Sequence, residues 1–304
     1  MDAARVDPEV RAARRRHLDL PVDRRWARAL VRFGARFLPP VATPGVTLDR
    51  VRDGSVRARV HRPDTPRSRA ALLWIHGGGL VLGAAVMDDR FCGEVAKRLG
   101  ITVVAAEYRL APEHPYPAAH DDLLATWEWM RSHAETLDFD PDRVAIGGGS
   151  AGGGLAASLA LRLHDRGGAQ PAAQLLVAPM LDDRTADRRE LDQVDHWVWN
   201  NRSNRAGWAA YLGSAAGGDD VHEYAAPARR ADLSGLPPAW IGVGDLDLFL
   251  DEDVDYARRL VAAGVDTTLD VTPNAPHGFE GWAPDAAISR DFRQRAQDWL
   301  MKVL

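Results

Sequence analysis

The chain has 304 residues, 46% of them hydrophobic, and a formal net charge of −5. That length accommodates one large α/β domain or two smaller ones, and the mild acidity gives no reason to expect nucleic acid or an anionic membrane as a partner. Its single cysteine, Cys92, excludes an intrachain disulfide; no apolar run approaches the ~20 residues of a membrane span, and Met1-Asp2-Ala3-Ala4-Arg5 lacks the apolar core of a secretory signal, so the expected location is cytoplasmic.

In chain order, residues 2–38 read as broadly helical, interrupted at Leu20-Pro21. Ten arginines there are partly balanced by Asp2, Asp7, Glu9, Asp19 and Asp23. Val22, Trp26, Leu30, Phe33 and Phe37 recur at helical spacing, so one face is apolar. Such a segment has a solvated face opposite a buried one, or caps a site. Val46–Arg52 and Val56–Arg62 alternate around Asp53-Gly54, a hairpin signal. From there strands and helices alternate. Strands are expected at Ala70–Ile75, Ile101–Glu107, Arg143–Ile146, Gln174–Ala178, Ala239–Val243 and Thr268–Thr272. Helices are expected at Val86–Leu99, Ala118–His133, Ala151–Asp165, Asp251–Ala263 and Ala286–Val303. This pattern implies a mostly parallel sheet with helices on both faces. Cys92, inside a helix, reads as a buried inert thiol.

The alternation breaks over 181–230, a polar stretch carrying Trp197, Trp199 and Trp208. It reads as an insertion over the sheet edge, loosest from Gly213 to Asp220. The expected organisation is an N-terminal helical cap segment, 1–45, and a main domain, 46–304, with the cap insertion at about 181–222.

The chemistry gathers after the strands. Gly148-Gly149-Ser150-Ala151-Gly152 matches G-x-S-x-G, a sharp strand-to-helix turn that exposes a serine. The positions two before and two after the serine must lack a Cβ, because strand and helix approach closely there. The same run, Gly147-x-Gly149-x-x-Gly152, also matches the dinucleotide fingerprint. That reading needs an acid about 20 residues further on, at the end of the next strand. Residues 167–174 carry none, and the nearest, Asp165, precedes that strand.

Three further features sit in loops after strands. His76-Gly77-Gly78-Gly79 follows an apolar strand, and its glycines can turn several N–H groups toward one point, as an oxyanion requires. Gly244-Asp245-Leu246-Asp247 supplies two acids at the carboxyl edge of the sheet. His277 lies in Pro276-His277-Gly278-Phe279, after the last strand. The order Ser150, acid, His277 is that of the α/β-hydrolases. A histidine takes the serine proton, and the acid fixes the histidine tautomer.

Taken together, these motifs resemble the hormone-sensitive-lipase-like carboxylesterases, the bacterial family IV esterases of α/β-hydrolase fold. The resemblance rests on His76–Gly79, on residues 107–118 (Glu-Tyr-Arg-Leu-Ala-Pro-Glu-His-Pro-Tyr-Pro-Ala), on Gly148–Gly153 and on His277-Gly278-Phe279. Tyr224–Pro227 and Leu233–Pro238 also read like family segments. The resemblance spans roughly residues 45–304, and more loosely the N-terminal helices, which in this family form part of a cap. It implies Ser150 as nucleophile, His277 as base and Asp247, rather than Asp245, as the acid. It further implies oxyanion donors from the backbone of Gly78, Gly79 and Ala151, with Gly77 in reserve, and a structural role for His76. Leu80, Trp197 and Trp199 are the candidate substrate-lining residues.

The implied substrate is a small ester, hydrolysed without metal or cofactor; lactones, amides and carbamates suit the same machinery, and a non-catalytic ligand-binding protein of this fold is the other alternative. Two departures stand out. Gly149 replaces a polar residue before the serine, and Leu248 and Leu250 replace a proline and an arginine beside the acid. Residues 267–272 alternate as an exposed edge strand would, which makes a homodimer one expectation and a monomer the other.

Overall fold

The short apolar runs assemble into one eight-stranded sheet in a computed structural model that describes residues 1–14, 24–35 and 37–304. The strands are β1 (Val46–Asp53), β2 (Val56–Pro63), β3 (Ala71–Ile75), β4 (Thr102–Ala106), β5 (Val144–Gly149), β6 (Gln174–Val177), β7 (Ala239–Gly244) and β8 (Thr267–Thr272). Their spatial order is β1-β2-β4-β3-β5-β6-β7-β8. The β1–β2 hairpin and the β2–β4 pair are antiparallel; every other neighbour is parallel. β3, β4, β6 and β7 are buried at every position, as strands covered on both faces must be.

The helices are α1 (Pro8–Arg14), α2 (Arg25–Ala35), α3 (Asp89–Leu99), α4 (Ala118–Ser132), α5 (Ala151–Arg166), α6 (Asn201–Leu212), α7 (Leu250–Ala262), α8 (Phe279–Trp282) and α9 (Ala287–Val303). The alternation of β3 splits its side chains between two cores. Leu73 and Ile75 join Leu123, Trp127, Leu155 and Leu260 from α4, α5 and α7. Leu72 and Trp74 join Cys92, Val95, Phe292 and Leu300 from α3 and α9. Cys92 is fully buried, and burial pushes its thiol well above the ordinary range, which keeps it unreactive.

From β3 the chain moves to β4 on one side and returns to β5 on the other. The carboxyl ends of β3 and β5 therefore flank the point where strand order reverses, where ligands bind in open α/β sheets. Residues 76–82 and the turn at 150 meet there.

The N-terminal helices depart from expectation. α1 is moored: Val6 and Val10 are buried, and Glu9 accepts from the Ala287 N–H at 2.8 Å. In α2 only Ala27 is buried. Trp26, Leu30, Phe33 and Phe37 are 63, 59, 58 and 70% exposed. The apolar face found by periodicity exists, but it faces solvent. Arg32 ties the helix down by donating to the Val81 carbonyl at 2.8 Å, to the Ala111 carbonyl and to Glu113 at 2.7 Å. The interruption at Leu20-Pro21, and Asp19, Val22 and Asp23, lie outside the described residues.

The stretch after β6 folds as two 3-10 turns, Asp183–Asp187 and Arg189–Gln193, followed by α6. It is fastened at its root. Glu252 of α7 accepts from the N–H groups of Leu181 (2.7 Å) and Asp182 (3.2 Å) and from the Thr185 hydroxyl. Its loosest expected part is pinned by the Gly217 N–H on Asp183 Oδ2 at 2.7 Å. Among the described residues no helix is long and apolar enough to cross a membrane.

Candidate active site

β5 ends at Gly149 and α5 begins at Ala151, which leaves Ser150 at the turn with φ 55° and ψ −122°. A side-chain-bearing residue there stores about 1–3 kcal/mol of strain, tolerated only where the surroundings over-determine it. They do so here. The Ser150 N–H donates to Val177 O at 2.8 Å, and its carbonyl accepts from Met180 N (3.0 Å) and Gly154 N (3.1 Å). The flanking glycines are required by close approach. A Cβ on Gly148 would stand 2.4 Å from Gly152 C, and one on Gly152 would stand 2.0 Å from Ile75 O. The hydroxyl is left over the positive end of the 16-residue α5.

His277 Nε2 lies 2.9 Å from Ser150 Oγ, and His277 Nδ1 lies 2.8 Å from Asp247 Oδ2. Asp247 is buried, and its Oδ1 accepts from the Phe249 N–H at 2.9 Å. Asp245 faces elsewhere and pairs with Arg5 at 3.1 Å. Leu248, where the family has proline, is buried in the core beside Phe249, so this loop is held by packing instead. Burial alone lowers the pKa of His277; the charge and hydrogen bond of Asp247, aided by Glu280, more than offset it, and the net shift is upward.

The loop after β3 carries the candidate donors. The N–H groups of Gly77, Gly78, Gly79 and Ala151 have no protein acceptor among the described residues. Gly78 has φ 120°, and a Cβ there would meet the Leu82 carbonyl at 2.3 Å. His76 ties the loop: it is buried, its Nδ1 pairs with Gly77 O at 2.8 Å, and its ring stacks on Tyr108 at 4.2 Å. Tyr108 in turn donates to the His76 carbonyl at 2.9 Å. Burial lowers the pKa of His76 to about 4, so it stays neutral.

A cavity of about 170 Å³ opens beside Ser150 and His277. Its walls are not the ones expected. Leu80 is buried and lies off the cavity. Trp199 packs behind the loop after β3, where a Cβ on Gly79 would stand 1.9 Å from its ring. Trp197 is half-buried with the Arg14 guanidinium 5.4 Å from its ring centre. Trp199 thus braces the loop after β3, and neither it nor Trp197 lines this cavity. Trp74, Asp88, Phe91, Glu280, Phe292 and Arg293 line it instead. Only Glu280, three residues beyond His277, had a local signal pointing to it.

A hydrogen-bonded serine–histidine–carboxylate line beside unpaired backbone donors, at the switch point of an α/β sheet, defines the hydrolase class. The model of the α/β hydrolase fold family matches residues 72–281. Esterase LipI of Mycobacterium tuberculosis is 35% identical over 237 residues, 76% of this chain and 72% of the relative. Ethyl acetate hydrolase of Pseudomonas putida is 34% identical, over 75% of this chain and 73% of the relative. A bacterial heroin esterase of known structure is 38% identical, with a TM-score of 0.88 over 100% of this chain and 99% of that one. The chain belongs to the α/β-hydrolase fold family, within its hormone-sensitive-lipase-like esterases. It is an enzyme of the carboxylesterase class, and the dinucleotide reading of Gly147–Gly152 falls.

Proposed function

We propose that the enzyme cleaves short-acyl carboxylic esters through an acyl-enzyme on Ser150. The observation that carries this is the hydrogen-bonded line from Asp247 through His277 to Ser150. Ser150 Oγ attacks the ester carbonyl while His277 Nε2 takes its proton. Asp247 holds Nδ1–H, fixes the tautomer and stabilises the imidazolium. The carbonyl oxygen, now negative, is received by the N–H groups of Gly78, Gly79 and Ala151, with Gly77 alongside; one such donor is worth roughly 2.7–4 kcal/mol. His277 then protonates the leaving alcohol, and water, activated by the same base, releases the acid. The small cavity beside Ser150, about 170 Å³, supports a short acyl group, as does the relative named for ethyl acetate.

Residues 1–45 and about 181–222 act as the cap over this site, a reading supported by the mooring of α2 on Val81 and Ala111 beside the oxyanion loop. β8, at the sheet edge with Leu269 and Val271 exposed, is the strand through which a homodimer would form; sedimentation tests that.

Turnover of p-nitrophenyl acetate and butyrate, with a burst of p-nitrophenol, is the expected result. Ser150→Ala matching wild type would overturn the assignment.

A further inference from the structure

The cavity beside Ser150 has a composition that a plain hydrocarbon pocket would avoid. Gly149 forms part of its wall without a side chain: a Cβ there would meet nothing nearer than the Trp74 ring at 3.9 Å. Trp74 and Phe91 lie with ring centres 4.4 Å apart, and Phe292 closes another wall. Two carboxyls reach the same space from different elements. Asp88 precedes α3 and accepts from Trp74 Nε1 at 2.8 Å through Oδ2. Glu280, on α8, has no donor but its own backbone N–H. Enclosure in protein raises both, Asp88 to about 7 despite the Trp74 bond.

A third charged group, Arg293, is already committed. It donates to the carbonyls of Glu280 (2.8 Å) and Pro284 (2.9 Å) and pairs with Glu94 at 3.3 Å. Among the described residues neither acid of the cavity has an ion-pair partner, although the charges of His277 and Arg293 act on Glu280 from nearby. Carboxyls partly withdrawn from water and without a counter-charge are costly, and aromatic faces attract ammonium groups.

We propose that this cavity receives an ammonium-bearing substituent of the ester, held between Asp88 and Glu280 and against Trp74, Phe91 and Phe292. The proposal rests on the hydrolytic reading of Ser150 and adds a substrate class to it. The ammonium fits because its charge offsets the two carboxyls that share this space. A carboxylate in the same place would meet two acids and be rejected. Gly149 leaves the space that a side chain would fill.

The test uses three p-nitrophenyl esters of nearly equal size: the cationic β-alaninate, the neutral butyrate and the anionic hemisuccinate. A second arm compares acetylcholine with its uncharged carbon isostere, dimethylbutyl acetate, and so reports whether the cation lies on the acyl or the alcohol side. The readout is the cation-to-neutral ratio of kcat/KM in wild type, Asp88→Asn and Glu280→Gln, which cancels intrinsic ester reactivity. The expected result is a ratio that falls roughly tenfold or more in each variant, in one arm, with hemisuccinate the poorest wild-type substrate. Ratios unchanged by both substitutions in both arms would overturn the proposal. If wild type hydrolyses none of the esters, butyrate included, it is the hydrolytic reading that fails. If one variant does not fold, the other gives the same readout.

Discussion

Ser150 and helix α2 flank the same loop, residues 76–82, and are held in opposite ways. Ser150 is fixed by backbone packed on backbone, with glycines 148 and 152 pressed against the end of β3. α2 is tied down through Arg32 and turns three large apolar side chains, Trp26, Leu30 and Phe33, to solvent. The contrast separates two kinds of positioning. Shape complementarity fixes an atom where chemistry needs a single geometry, whereas a charged tether fixes only the place of an element.

The acid at 247 is where the tightly held region breaks most sharply. Asp247→Asn leaves a group that no longer fixes the histidine tautomer, and kcat is expected to fall on the order of 10⁴-fold. Asp245→Asn, which loses only a surface pair with Arg5, is expected to stay near wild type. Steady-state kinetics on one short ester checks both.

The join between the two regions is a buried ion pair. Arg59 Nε and NH2 donate to Asp89 at 2.6 and 2.5 Å, and Asp89 also accepts from the Val41 N–H at 3.1 Å, holding the strap that follows α2. Arg59→Ala strands the Asp89 charge and is expected to cost about 3–5 kcal/mol in denaturant unfolding.

A smaller effect concerns pH. Protonated His277 cannot accept the Ser150 proton, so kcat/KM is lost as pH falls through the pKa of His277 in the folded enzyme. That pKa is raised above the ordinary 6.5, so the acid limb is expected above that value. Glu280→Gln removes one of the charges that raise it and is expected to move the limb down.

The smallest effect belongs to α2. Trp26→Ser exposes nothing new and is expected to change stability by less than about 0.5 kcal/mol, whereas a comparable truncation of buried Trp127 would cost about 3–5 kcal/mol. Thermal denaturation of the two variants measures the contrast directly.

Much of this was legible in the sequence. The β3–β8 strands and their helices announce themselves as short apolar runs separated by helical periods, and the loop residues Ser150 and His277 stand in motifs whose residue types follow from geometry. Residue spacing alone left Asp245 and Asp247 open; the difference is that Asp245 emerges beside Arg5, some 240 positions away in the chain. The orientation of α2 was not legible, because periodicity says which side chains share a face and not what that face meets. Nor were the cavity walls, since Trp74, Asp88, Glu280 and Phe292 converge from a strand and three helical segments. Trp199 stands off this cavity for a related reason: its ring fills the space that a missing Cβ at Gly79 leaves.

The most direct test of the nucleophile is covalent. Treatment with a p-nitrophenyl alkylphosphonate, followed by peptide mass spectrometry, is expected to place one phosphonyl adduct on Ser150, with loss of activity in step with labelling and no adduct in Ser150→Ala. Inactivation with the adduct on another residue, or full turnover by Ser150→Ala, would contradict the account.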